Sequence, residues 1–158
     1  MSIFTSKTSK KAIFSTILGQ FLLILGIFSI SGCSKTGASE QDQMISFAKS
    51  HSINYTTDPS GILYEIITPG NSTHPSATNT ITVTYTGLLM NGSQFDAGTI
   101  SYPLNQLIPG WGIAVPKIGV GGEIKVLIPS NLGYGSSGQG PIPGNSPLYF
   151  DIKLLAVK

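Results

Sequence analysis

Few side chains in this sequence are equipped for covalent chemistry. Cys33 is the only cysteine, which excludes an intrachain disulfide, a cysteine-held metal cluster and a Cys-x-x-Cys redox pair. The two histidines, His51 and His74, have no acidic neighbours at ligand spacing, and they read as solvated surface residues rather than metal ligands or catalytic bases. No Ser, His and Asp set suggests a nucleophilic triad. The segment Leu104–Ile118 offers chemistry of another kind. It carries the only Trp, Trp111, behind the apolar pair Leu107-Ile108 and the turn Pro109-Gly110. That is a poor start for a long helix but a workable floor for an apolar pocket.

The elements that must position this floor come from a chain of 158 residues, enough for one ordinary domain plus an appendage. Charged residues make up 10% of the sequence against 19 Gly and 10 Pro, a balance that favours turn-rich β structure over a helical bundle. The net charge of +2 is small, and Lys7, Lys10 and Lys11 supply much of the positive charge at one end. The remainder has no basic stripe for nucleic acid.

Those three lysines open an N-terminal segment built like an export signal, continuing into an apolar run from Ala12 to Ile30 and closing on Ser31-Gly32-Cys33. A run of that length could also just span a bilayer. The ending distinguishes the two. Ile30 three positions before the cysteine, with small residues between, resembles the lipobox of bacterial lipoproteins. The resemblance implies cleavage before Cys33 and acylation of its thiol. More than one acyl chain would make membrane attachment lasting. Ser34 after the cysteine mildly favours the outer membrane, if the cell has one. The organisation expected is a signal peptide over 1–32, a lipidated N-terminus with tether and short helix over 33–60, and a folded domain over 61–158.

The tether is small and polar from Ser34 to about Gln43, and Met44, Ile45, Phe47 and Ala48 then give a short helical pattern ending near His51-Ser52. Strands are expected from the alternation in Ile62–Ile67, from Thr80–Gly87 running on through Leu88 and Leu89, from Glu123–Ile128 and from Leu148–Leu155. In the second of these, Ile81, Val83 and Tyr85 share one face and the threonines the other. Asn91-Gly92 is a hairpin signal that starts a return strand at Ser93-Gln94-Phe95-Asp96. The run Tyr134–Gly144 is too rich in Gly and Pro for regular structure, and a loop of that length is usually functional or disordered. Five or six strands with one short helix and no βαβ rhythm indicate an antiparallel α+β domain.

In this order the pieces resemble the FKBP family of peptidyl-prolyl cis/trans isomerases. The residues that carry the likeness are Val83-Thr84-Tyr85-Thr86-Gly87, Asn91-Gly92, Phe95-Asp96, Ile108-Pro109-Gly110-Trp111, Val120-Gly121-Gly122-Glu123, Ile128-Pro129, Tyr134-Gly135, Ile142-Pro143 and Phe150-Asp151. The resemblance implies a bent antiparallel sheet wrapped over a short helix, with an apolar pocket between them. It places Trp111 at the pocket floor and Tyr85, Phe95, Leu107, Ile108, Tyr134, Ile142 and Phe150 in the walls, with Asp96 as a buried carboxylate beside Tyr85. Three departures stand out. Between Asp96 and Tyr102 lies only Ala-Gly-Thr-Ile-Ser, which reads as a shortened loop without the arginine that often pairs with the aspartate. Gln139 stands where a histidine is common. Gly112-Ile113-Ala114-Val115-Pro116 replaces charged helix formers, and if Trp111, Val115 and Ile118 face inward, Ile113 faces out as an apolar rim.

The activity implied is rotation about the peptide bond before proline, which breaks no covalent bond and needs no cofactor or metal. Asp96, Tyr134 and Ile108 would carry it, the last two through the Tyr134 hydroxyl and the Ile108 backbone amide. The implied partners are proline-containing polypeptides folding after export, macrolides that typically occupy such a pocket, and the membrane through lipidated Cys33. Two alternatives stay open: a lipid-anchored module or holdase that binds proline peptides with negligible turnover, and a structural envelope lipoprotein that has kept only the fold.

Overall fold

The computed structural model describes residues 37–158. The signal peptide expected over 1–32, and the lipid expected on Cys33, lie outside the described residues. Six strands form one sheet: β1 (Thr56–Thr57), β2 (Leu63–Thr68), β3 (Thr80–Leu89), β4 (Gln94–Pro103), β5 (Glu123–Ile128) and β6 (Leu148–Val157). Their spatial order is β1-β2-β5-β6-β3-β4, and every pairing is antiparallel. The four strands expected from alternation sit within a residue or two of where the pattern puts them. β1 has only two residues, too short to carry a period.

β4 is the main correction. The stretch Ala97–Ser101, read above as a shortened loop, continues the strand, with Ala97 opposite Thr86, Thr99 opposite Thr84 and Ile100 opposite Val83. Thr99-Ile100-Ser101 repeats the polar-apolar alternation of Thr82-Val83-Thr84, so both strands turn an apolar residue inward and hydroxyls outward. The outward hydroxyls pair across the strands, Thr82 with Ser101 at 3.1 Å and Thr84 with Thr99 at 2.9 Å.

Alternation also gives the sheet two apolar faces. Val126, Phe150 and Ile152 pack inward with Ile81, Val83, Leu154 and the segment from Trp111 to Ile118. Leu63, Leu127 and Tyr149 point the other way, onto α1 (Glu40–Ser50), whose Met44, Phe47 and Ala48 are buried against them with Ile53. Each large side chain so buried contributes about 1.5–3 kcal/mol. Helix α1 therefore docks on the outer face of the sheet, and residues 40–57, expected to be tether and short helix, pack on elements that lie beyond residue 61. Ser39 caps α1 by accepting from the Asp42 N–H at 3.1 Å. His51 stacks on Phe47 with ring centroids 3.9 Å apart, and His74 bonds the Pro116 carbonyl at 3.0 Å; both are exposed.

On the inner face the second helix, α2 (Pro109–Ala114), is only six residues long, and Pro116 lies in the single 3-10 turn Val115–Lys117 that follows. Gly110 lets it sit down on β5, since a Cβ there would meet the Ile128 side chain at 2.5 Å. Trp111, Val115 and Ile118 face inward, as helical spacing predicts. Ile113 does not form the expected rim: it is half-buried and packs on the inner core.

The end of this segment is tied to the turn before β2. Lys117 donates to Asp58 at 2.7 Å and lies 4.6 Å from the Tyr64 ring centroid. The Lys117 hydrogen bond, with those from the Ser60 N–H and hydroxyl, holds the Asp58 carboxyl well below the usual carboxylate range. A carboxyl depressed in the folded state stabilises above its unfolded pKa, and that contribution is lost as pH falls towards the folded value. Asp58→Asn should therefore lower the melting temperature at about pH 7, with the gap from the parent closing as pH drops below about 4. A gap of equal size at both acidities, measured by calorimetry, would contradict this linkage.

Candidate functional site

The pocket is built on one transverse row of the sheet. Tyr64 on β2 pairs with Val126 on β5, Val126 with Phe150 on β6, Phe150 with Gly87 on β3, and Gly87 with Asp96 on β4. Gly87 is the necessary gap in that row. A Cβ there would meet the Phe95 ring at 2.6 Å and the Phe150 ring at 3.0 Å, so the two phenyls close over a backbone without a side chain. Their centroids lie 5.5 Å apart at 89°, the edge-to-face arrangement that aromatic quadrupoles favour.

Trp111 completes the aromatic set from α2. Its ring makes edge contacts with Tyr85 at 5.2 Å and with Phe150 at 5.3 Å. It is 3% exposed, and its indole N–H has no acceptor among the described residues. An orphaned buried donor costs about 1–3 kcal/mol, and native sites keep few of them. The remaining walls come from Ile100, Leu107, Ile108, Asp96 and Tyr134, around a cavity that opens to solvent. Leu107 ends a 3-10 turn at Leu104–Gln106, and Ile108 is extended at φ −58°, ψ 144° just before α2. The Ile108 N–H consequently lies outside the helix and enters no turn or cap hydrogen bond among the described residues.

Tyr85 and Asp96 sit diagonally across β3 and β4, and the Tyr85 hydroxyl donates to the Asp96 carboxylate at 2.5 Å. Partial burial, together with this bond, pushes the Tyr85 pKa up to about 12, so its hydroxyl remains a donor at any physiological pH. Asp96 itself is exposed. The expectation of a buried carboxylate is corrected here, because β4 is an edge strand and Asp96 stands at the pocket rim with water on one side. Its hydrogen-bond partner is Tyr85, which answers the missing arginine. Tyr134 follows a 3-10 turn at Ser130–Leu132, and burial raises its pKa, with the Asp96 charge adding to the effect.

Seven of the side chains named from the sequence come together in this pocket with Asp96: Tyr85, Phe95, Leu107, Ile108, Trp111, Tyr134 and Phe150. Ile142 does not line it. That residue is buried in the neighbouring depression, which shares Phe95, Asp96 and Tyr134 and is bordered by Gln139 and Pro141. The loop carrying them has no regular structure but is closely bonded, Gln139 and Ile142 exchanging N–H to carbonyl bonds at 2.9 Å each way. Ile100 also lines the pocket, and the Thr99-Ile100-Ser101 alternation is the local signal that puts its side chain there.

Known proteins of similar sequence and structure share one family. Residues 71–155 match the model of the family described as FKBP-type peptidyl-prolyl cis-trans isomerase. The FkpA isomerase of Aeromonas hydrophila is 41% identical over 104 residues, which are 63% of this chain and 39% of that protein. The outer membrane protein MIP of Legionella longbeachae is 41% identical over 106 residues, 63% of this chain and 46% of that one. The crystal structure of FkpA from Escherichia coli superposes with a TM-score of 0.69 at 34% identity, covering 76% of this chain and 59% of the other. The chain thus spans less than half the length of these two sequence relatives.

The close approach at Gly87 makes a sharp test. Gly87→Ala should leave a folded protein, destabilised by about 1–3 kcal/mol, because the added methyl must displace two phenyl rings. It should also shift the emission of Trp111, the only Trp in the sequence, because the displaced Phe150 ring packs against it. A parental melting temperature and emission spectrum in the variant would show that the ring positions are not critical.

Proposed function

The chain belongs to the FKBP-type peptidyl-prolyl cis-trans isomerase family, and on that premise we propose that it accelerates rotation about X–Pro bonds in proteins folding outside the cytoplasm, held at the cell envelope by a lipid on Cys33. The observation that carries the activity is the aromatic pocket on Trp111, bordered by a backbone N–H and a tyrosine hydroxyl. The lipobox-like ending at Cys33 supports the location, as does likeness to a relative named an outer membrane protein.

The barrier to rotation is about 18–20 kcal/mol, because the twisted amide loses its resonance. An isomerase lowers it by binding the twisted form more strongly than the planar one. In this reading the proline ring rests on the Trp111 face between Tyr85, Phe95 and Phe150, and the preceding carbonyl leaves water on entry. Loss of hydration is least costly for the twisted amide, whose carbonyl is less polarised than that of the planar one. The Ile108 N–H and the Tyr134 hydroxyl then donate to peptide carbonyls flanking the rotating bond. Asp96 acts on the substrate through Tyr85, holding that hydroxyl out of the cavity so that its ring edge faces Trp111. Each factor of ten in rate takes about 1.4 kcal/mol of differential binding, so two hydrogen bonds plus desolvation account for roughly a thousandfold. Uncatalysed isomerisation takes tens of seconds, long on the timescale of folding after export.

A protease-coupled assay on a proline tetrapeptide tests the activity. Trp111→Ala should lower kcat/KM by about tenfold to a hundredfold, and Tyr134→Phe by about tenfold. Asp96→Asn keeps an acceptor for Tyr85 and should lose less than either. A parent rate no higher than the uncatalysed one, with peptide still bound, would leave a binding module instead. Because the Tyr85 and Tyr134 pKa values are both raised, tyrosine ionisation should produce no fall in rate between about pH 6 and pH 9. A descending limb with a midpoint below about 9 would oppose the assignment of neutral tyrosine donors.

The anchor is tested separately. Cys33→Ser should leave the domain folded and active but unacylated, with the N-terminal segment uncleaved. Recovery of a shortened, acylated chain in membranes of the variant would refute attachment at Cys33.

A further inference from the structure

We propose that Glu40, in the first turn of α1, is a positioning residue that sets the Tyr134 segment of the pocket from the opposite face of the sheet. The inference rests on the reading of the Tyr134 hydroxyl as a donor to substrate. Its basis is Ser130, two residues past the end of β5, the buried polar residue among the described residues and only 5% exposed. The Ser130 N–H donates to Glu40 Oε2 at 2.6 Å, and its hydroxyl donates to Glu40 Oε1 at 2.6 Å. One carboxylate taking two donors from a single residue fixes both the place and the rotation of that residue. The Ser130 carbonyl in turn accepts from the Gly133 N–H at 3.0 Å and the Gly135 N–H at 2.8 Å, the two residues flanking Tyr134. All the backbone and hydroxyl donors of Ser130 are therefore engaged by α1, and its acceptor by the turn that presents Tyr134.

Glu40 is not serving its own helix in the usual way. The Asp42 and Gln43 N–H groups of α1 are served by Ser39, whose hydroxyl oxygen accepts from Asp42 and whose carbonyl accepts from Gln43. That leaves both Glu40 oxygens free to reach a partner 90 positions away in sequence. The rest of α1 is held by apolar contacts of Met44 and Phe47 with Leu127 and Tyr149, which would keep the helix docked without the clamp. Stability and positioning are thus carried by different residues of one helix, and they can be separated by substitution.

The experiment uses the full chain and compares Glu40→Ala, Ser130→Ala, Met44→Ala and Tyr134→Phe, with the double variant Glu40→Ala/Tyr134→Phe. Glu40→Ala should lower kcat about fivefold with KM within about twofold, the signature of a misplaced group rather than a lost binding surface. Ser130→Ala, which keeps the backbone bond to Glu40, should show a smaller loss and gives the reading if Glu40→Ala fails to fold. Met44→Ala should lower the melting temperature at least as much and leave kcat unchanged. In the Tyr134→Phe background the Glu40→Ala effect should disappear, because both changes act on one hydroxyl. Hydrogen exchange at the Gly133 and Gly135 amides should quicken in Glu40→Ala and not in Met44→Ala. Parental kcat in folded Glu40→Ala, or the same fivefold loss persisting beside Tyr134→Phe, would overturn the proposal. If Tyr134→Phe alone retains the parental rate, it is the hydroxyl assignment that fails, and exchange at Gly133 and Gly135 then decides whether the clamp exists.

Discussion

The closure of Phe95 and Phe150 over Gly87 is the contact on which the rest of the pocket depends. It needs three strands in register, because Phe150 comes from β6, Gly87 from β3 and Phe95 from the residue beside Gly87's partner on β4. A one-residue slip of β6 would turn Phe150 to the outer face and bring Tyr149 inward. That slip is opposed from both sides. Leu148, Ile152 and Leu154 share the inner face with Phe150, and Tyr149 is taken up by Phe47 and Leu127 outside. The position of Trp111 follows, since its edge contacts are with rings whose own places the register has set.

This architecture suits a reaction that asks for no ionised side chain at the reacting atoms. The residues lining the cavity are aromatic and aliphatic, with Tyr134 on one wall and a single carboxylate, Asp96, at the rim. That carboxylate is bonded to Tyr85 and so serves the wall more directly than the contents. A cavity of this make-up discriminates by hydration and shape. The indole N–H of Trp111, on the pocket floor, is a buried polar atom with no partner among the described residues.

Much of this was legible in the sequence, and the parts that were not share a cause. The strand Thr80–Leu89, the Asn91-Gly92 turn and the inward set Trp111, Val115 and Ile118 follow from local period and turn chemistry, which a single sequence displays. Ala97–Ser101 is short and holds a glycine, so its strand signal is weak, although its alternation mirrors the partner strand. The docking of α1, the exposure of Asp96 and the separate depression holding Ile142 are tertiary outcomes. They depend on which strand lies at the edge and which face a helix covers, facts that no local window contains. The Glu40 to Ser130 clamp joins positions 90 residues apart and leaves no pattern in either neighbourhood.

The outer face of the sheet has one more consequence. Helix α1 is eleven residues long and covers only the end where Leu63, Leu127 and Tyr149 project. Beyond it, the surface changes to the cross-strand row Glu65, Lys125, Asp151 and Thr86, the pair Glu123 and Lys153, and the hydroxyl pairs joining β3 to β4. The sheet therefore has a dry end and a wet end on one side, and the helix can stop where the water begins. The charged and hydroxyl-bearing outer end is thus separated by the thickness of the sheet from the aromatic wall on the opposite side, so a change in one need not reach the other.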